Sequence, residues 1–150
     1  MRKMVWILLL LVCVGCVTVK VPKYLKDEFP YKKKFYASFE DTITATQRAL
    51  KEAGWHVSDI SSPTVFEGSQ AASVPQGKQV LIFTEIRQTP LIFSSRYMSL
   101  NVYVRASDDG TDVEIRYISV VPMFFKNSES YKNDTVANKI LERISGLLEK

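Results

Sequence analysis

The chain of 150 residues contains only two cysteines, Cys13 and Cys16, and one histidine, His56. Past position 16 there is no thiol, so neither a disulfide framework nor a thiolate metal site can form there. A lone imidazole has no second ligand with which to hold zinc, and no nucleophile stands near it in sequence, so His56 reads as an incidental strand residue beside Trp55. Glycine is sparse, and Gly54, Gly68, Gly77, Gly110 and Gly146 never cluster into a loop that could cradle a phosphate. Ser38, Ser94 and Ser95 lack the Gly-x-Ser-x-Gly setting of a hydrolase nucleophile. Asp108-Asp109 precede Gly110 without the repeated Asp spacing of a calcium loop, and a hairpin turn accounts for both acids. The expectation is a protein without catalysis, metal or cofactor.

Long apolar runs are also missing, with one exception. Arg2 and Lys3 precede Met4-Val5-Trp6-Ile7-Leu8-Leu9-Leu10-Leu11-Val12-Cys13-Val14-Gly15-Cys16, the charged-then-apolar layout of an export signal. Counted to Val19 the run is 16 residues, short of the ~20 a membrane-spanning helix needs. Val14-Gly15-Cys16 resembles the lipobox of bacterial lipoproteins. That resemblance implies cleavage between Gly15 and Cys16 and fatty acylation of Cys16. Two or three acyl chains on one residue anchor permanently, where one anchors only marginally. Position 17 is Val and not the Asp that retains many lipoproteins in the inner membrane. The family rule therefore implies the outer membrane, with the domain facing the periplasm, or the cell membrane in a host with a single one. The expected organisation is a signal peptide over 1–15, a lipidated cysteine and basic tether over 16–33, and one domain over 34–150.

Acidic charge is scarce only in the tether, where Lys20, Lys23, Lys26, Lys32, Lys33 and Lys34 face Asp27 and Glu28 alone. Such a strip beside a lipid anchor can contact anionic headgroups, at ~1 kcal/mol per cation, or simply keep a linker solvated. Residues 35–150 carry 12 basic and 14 acidic side chains, a net of −2, which argues against nucleic-acid binding.

In the body, Lys34–Ala37 reads as a short strand and Ser38-Phe39-Glu40-Asp41 as a helix cap. Phe39, Ile43, Ala45, Ala49, Leu50 and Ala53 then recur at helical spacing up to Gly54. Residues 55–60, 64–67 and 80–87 read as strands. Taking Asp109-Gly110 as the centre of a hairpin turn pairs Asp108 with Thr111. Met98, Leu100, Val102, Val104 and Ala106 then share one face with Val113, Ile115, Tyr117, Ser119 and Val121. Asn101, Tyr103, Arg105, Glu114, Arg116 and Ile118 share the other, expected to face water. A closing helix after Asn133-Asp134 places Val136, Ile140, Ile144, Leu147 and Leu148 on one side. The order β-α-β-β-β-β-β-α implies an α+β two-layer sandwich, an antiparallel meander with two helices on one face.

The Ala37-Ser38-Phe39 helix entry, the Ala49-Leu50 to Gly54-Trp55 exit and the Ile140-Leu141-x-x-Ile144 helix resemble a group of small bacterial lipoproteins of unknown function. They are also similar to the helix-grip modules in the C lipoprotein of the outer-membrane β-barrel assembly machine. The resemblance implies a non-catalytic envelope accessory domain and carries over no site residues.

Two connections are unexpectedly apolar: Thr89-Pro90-Leu91-Ile92-Phe93-Ser94-Ser95 and Pro122-Met123-Phe124-Phe125-Lys126-Asn127. Both leave strands at the same end of a meander. Leu91, Ile92, Phe93, Met123, Phe124 and Phe125 are therefore candidates for a docking patch, the alternative being that they fold inward and plug the sandwich. The patch is expected to face away from the anchor, which favours an envelope protein partner over the bilayer. A second functional reading is a carrier holding an apolar ligand between helices and sheet, although Phe39, Met98 and Tyr117 look more like filling than lining.

Overall fold

The computed structural model describes residues 18–26, 28–67, 78–123 and 126–149. Strand β1 (Tyr31–Phe35) leads into helix α1 (Phe39–Glu52), followed by β2 (Val57–Ser61) and a single helical turn, α2 (Thr64–Glu67). Then come β3 (Gln79–Thr84), β4 (Arg87–Pro90), β5 (Ser95–Ser107), β6 (Gly110–Pro122), β7 (Asn127–Ser130) and helix α3 (Asp134–Leu148). The strands make one antiparallel sheet in the order β1-β6-β5-β3-β2. β4 continues the β3 line along β5, and β7 lies beside β6 beyond the start of β1. The architecture is α+β, with α1 and α3 packed on one face of the sheet.

Local chemistry fixes the helices. The Ser38 hydroxyl accepts the Asp41 amide at 3.1 Å, and Gly54 takes the left-handed φ of 79° that stops α1. The Asn133 side chain accepts the Val136 amide at 3.1 Å to open α3. Phe39, Ala45, Ala49 and Leu50 from α1 and Ala137, Ile140, Leu141 and Ile144 from α3 are buried against Phe35, Trp55, Leu100, Val102, Val104, Ile115 and Tyr117. Glu52 spans the two helices, accepting from Arg48 at 2.9 Å and from Arg143.

Besides β1, which spans Tyr31–Phe35 in place of the expected 34–37, the structure departs from the sequence expectations in four places. Residues 64–67 form a helical turn and not a strand, because Pro63 cannot donate to a ladder and suits the start of a helix. The expected 80–87 strand breaks at Glu85-Ile86, where the Thr84 hydroxyl replaces the ladder, accepting the Leu100 amide at 2.9 Å. The β5–β6 hairpin is centred on Asp108-Asp109: Ser107 pairs with Gly110 and Ala106 with Thr111. The expected register is thus shifted by two, which leaves every side chain on its expected face. Among the described residues only Gly54 has positive φ, so this turn does not use the left-handed geometry that Asp-Gly would serve. Gly110 answers a different demand, since a Cβ there would stand 2.3 Å from the Phe35 carbonyl oxygen of the neighbouring strand.

The fourth departure is the largest. The second face of the sheet is not in water. Residues 18–26, expected to be a free tether, lie across it as a strap, and Leu25 is 1% exposed against Ile118 and Val120. Beside the strap, Leu81, Phe83 and Tyr103 pack against Tyr24 and Phe66, so α2 helps to close the same face.

Candidate functional site

The strap is held by two buried polar side chains that face each other across β5 and β6, Asn101 and Arg116. The Asn101 amide works as a substitute backbone. Its Oδ1 accepts the Leu25 amide at 2.6 Å and its Nδ2 donates to the Lys23 carbonyl at 3.0 Å. Arg116 donates to the Leu25 carbonyl at 2.9 Å and the Tyr24 hydroxyl at 3.1 Å, while Glu114 accepts from its Nε at 2.6 Å. Neither residue stood out in the sequence as a strap contact. The legible signal was composition, since a face carrying Leu81, Phe83, Tyr103, Ile118 and Val120 is too apolar to be left in water.

The level of the strap on the sheet follows from the register. Asn101 lies opposite Arg116 and Ser99 opposite Ile118. Lys23 and Leu25 bond at the Asn101 level, whereas Val21 and Pro22 line a cleft with Ser99, Thr84 and Ile86. Val19 and Val21 pack on the group of Leu25, Ile118 and Val120, two to four residues from the Pro122 end of β6. β6 runs toward that same end, and β1, paired antiparallel to it, starts opposite Ile115 and runs away. The start of β1 is thus its end nearer the apolar loops, where the expectation placed it at the opposite end.

At the Pro122 end of β6 stand the two apolar connections, each now a hairpin tip. Leu91 and Ser94 close the β4–β5 tip with a 2.9 Å backbone bond, leaving Ile92 and Phe93 at the turn. Ile92 is 90% and Phe93 96% exposed, so neither plugs the core, and Leu91 is also exposed. Met123 and Lys126 close the β6–β7 tip at 3.0 Å, with Met123 exposed as well. The Ser94 hydroxyl donates to the Pro122 carbonyl at 3.0 Å and joins the tips. Phe124 and Phe125 lie outside the described residues, as do Gly15 and Cys16.

The six tether lysines do not form one strip. Lys32, Lys33 and Lys34 belong to β1, where Lys32 pairs with Glu114 at 3.2 Å and Lys34 with Asp109 at 2.6 Å, and Lys33 donates to Ser145 at 2.7 Å. Lys23 pairs with Asp59 at 2.8 Å, and Lys20 and Lys26 are exposed. Lys34 sits at the Asp109 end of the sheet, opposite the tips.

The shifted titrations belong to such fasteners. Hydrogen bonds from Arg143 and Arg48 hold the Glu52 carboxyl down to about 2. The Lys34 ammonium lowers Asp109, and Lys23 lowers Asp59. Burial, and then the hydrogen bond to Asp134, raise Tyr31. His56 lies exposed at the rim of an open cleft with Gln47, Lys51, Trp55, Val57 and Glu85. Among the described residues no group of three or more potential metal ligands occurs, and no helix is long and apolar enough to cross a membrane. Compared with known proteins, the chain matches no family model and no curated protein.

Proposed function

We propose that this protein is a lipid-anchored, non-catalytic envelope lipoprotein whose α+β domain acts as an accessory module, making contact through the apolar end of its sheet. The observation that carries this reading is the pair Ile92 and Phe93, 90% and 96% exposed on a tip bonded to a second apolar tip. Two large apolar side chains in adjacent positions, both almost wholly in water, mark a contact surface on a folded domain. The export-signal pattern and the Val14-Gly15-Cys16 lipobox supply the anchor, and Val17 favours the outer membrane. Phe39 and Tyr117 occupy the space between helices and sheet, which leaves the carrier reading without a favouring observation.

Growing cells on an alkyne fatty acid tests the anchor. The native chain is expected to take up label and sediment with outer membranes, and Cys16→Ser to take up none. Equal labelling of both chains overturns the lipobox reading.

A further inference from the structure

We propose that the two hairpin tips are a bilayer-insertion edge: Ile92 and Phe93, with Leu91 and Met123, enter the boundary between headgroups and acyl chains of the membrane that carries the anchor. This rests on the lipid-anchored reading above and names the occupant of that contact surface.

Three independent observations favour a lipid surface. The first is chemical. The β4–β5 tip presents Ile92 and Phe93 almost wholly exposed, on a short turn whose backbone bond is closed within the hairpin, and Leu91 and Met123 stand about half exposed beside them. A turn of that kind can enter an apolar layer without leaving strand edges unpaired.

The second is charge. The β4–β5 arm from Arg87 to Tyr97 carries Arg87 and Arg96 and no acidic residue, and the β6–β7 arm carries Lys126 at its tip and Glu129 three positions further along β7, opposite Val120. Arg87, Arg96 and Lys126 are exposed. Cations around an apolar tip suit an anionic headgroup layer, as in interfacial amphipathic elements.

The third is position. The strap lies near the tips: Val19 packs on the group that includes Val120, and Val21 and Pro22 line a cleft with Ser99, four residues from the start of β5. That is about 13 Å from the tip plane at ~3.3 Å per strand residue. Cys16 is six positions before Pro22, a reach of up to ~20 Å when extended. The acylated cysteine can therefore lie in the same plane as Ile92 and Phe93. Tyr36, by contrast, follows β1 at the Thr111 end, eleven residues of β6 from Pro122, or about 36 Å away.

The test uses the lipoprotein purified from membranes and reconstituted into vesicles of phosphatidylethanolamine and phosphatidylglycerol with brominated acyl chains. Three variants, Phe93→Trp, Ile92→Trp and Tyr36→Trp, each replace an exposed side chain, and circular dichroism checks their fold. Trp55, buried in the core, gives all three the same background. The expected result is blue-shifted emission from positions 92 and 93, lost when bromines sit at shallow acyl depths, with position 36 unshifted and unquenched. Aqueous, unquenched emission from both tip positions overturns the proposal. A photoreactive residue at position 93 in intact cells separates the two readings. Crosslinking to one protein without quenching in vesicles overturns the bilayer occupant and retains the accessory module. The absence of lipid contact, protein contact and acylation of Cys16 overturns both.

Discussion

Replacing Asn101 with alanine tests whether the strap is an integral layer of the domain. In the native chain Asn101 is 0% exposed and satisfies both the Leu25 amide and the Lys23 carbonyl. Removing the side chain strands the Leu25 amide beside a residue that is 1% exposed, whereas exposed Lys23 can return its carbonyl to water. An unsatisfied buried donor costs ~1–3 kcal/mol, and the void left by the amide adds to it, so a total of about 2–3 kcal/mol is expected. The strap has its own way out. It can leave the outer face while the helix-side core stays closed, so the loss falls first on the local equilibrium of strap and sheet.

The assay is residue-resolved amide hydrogen exchange, with the global transition followed in denaturant. Protection at Leu25 is expected to fall by a factor between about 30 and 160, the equivalent of 2–3 kcal/mol. Amides in α1 and α3 should change far less. Asn101→Asp retains the acceptor for Leu25 but loses the donor to Lys23, and is expected to fall between the two. Unchanged Leu25 protection in Asn101→Ala, with or without a lower global midpoint, would refute the idea that this side chain holds the strap.

Three further substitutions probe the rest of the fold. Gly110→Ala places a methyl group 2.3 Å from the Phe35 carbonyl oxygen, so β1 must move; thermal unfolding should show a loss of about 1–3 kcal/mol. Thr46 is fully buried on α1 and its hydroxyl has no hydrogen-bond partner among the described residues. Thr46→Val is therefore expected to stabilise by ~1 kcal/mol, and a lower melting temperature would contradict this. Glu52 has a carboxyl pKa of about 2 against an ordinary 4.5, so its links to Arg143 and Arg48 are fully present above pH 4.5 and are lost as pH falls from there through about 2. The melting-temperature gap between native and Glu52→Gln proteins should hold steady above pH 5 and close toward pH 2; a gap that widens in acid would refute the assignment.

The two helices and the longest hairpin were legible because local rules dictate them. Ser38 and Asn133 cap helices with their own side chains, and alternation along 98–106 and 113–121 puts the right residues toward the helices whatever the exact turn. The register was misread because Gly110 looked like a turn residue, while its lack of a Cβ answers to Phe35, 75 positions earlier. The strap was misread for a similar reason. Its proline and lysine content is that of a linker, and its partners Asn101 and Arg116 lie 76 and 91 positions from Leu25. Only Leu25, among its described residues, is fully buried, and one apolar position sets up no periodicity. Long-range pairing of a side chain with an irregular backbone leaves no repeat in either partner's sequence.

A docked strap also changes what an anchor can do. A free linker of 18 residues over 16–33 would let a domain wander tens of ångströms from its membrane. With Leu25 seated on the sheet and Val19 packed on the same apolar group, Cys16 is only three positions from a docked residue. In the proposed arrangement the domain is held with Ile92 and Phe93 downward, and tip and lipid act together. Burying those two side chains contributes ~1.5–3 kcal/mol each when complete, too little for stable attachment alone. Beside a lipid already in the bilayer it is enough to fix an orientation, because the second contact is made at high effective concentration. Orientation should therefore depend on Asn101 as well as on the tips. In vesicles, Asn101→Ala is expected to reduce the quenching of Phe93→Trp while leaving the chain membrane-bound. Full quenching in the double variant would mean that the tips insert without help from the strap.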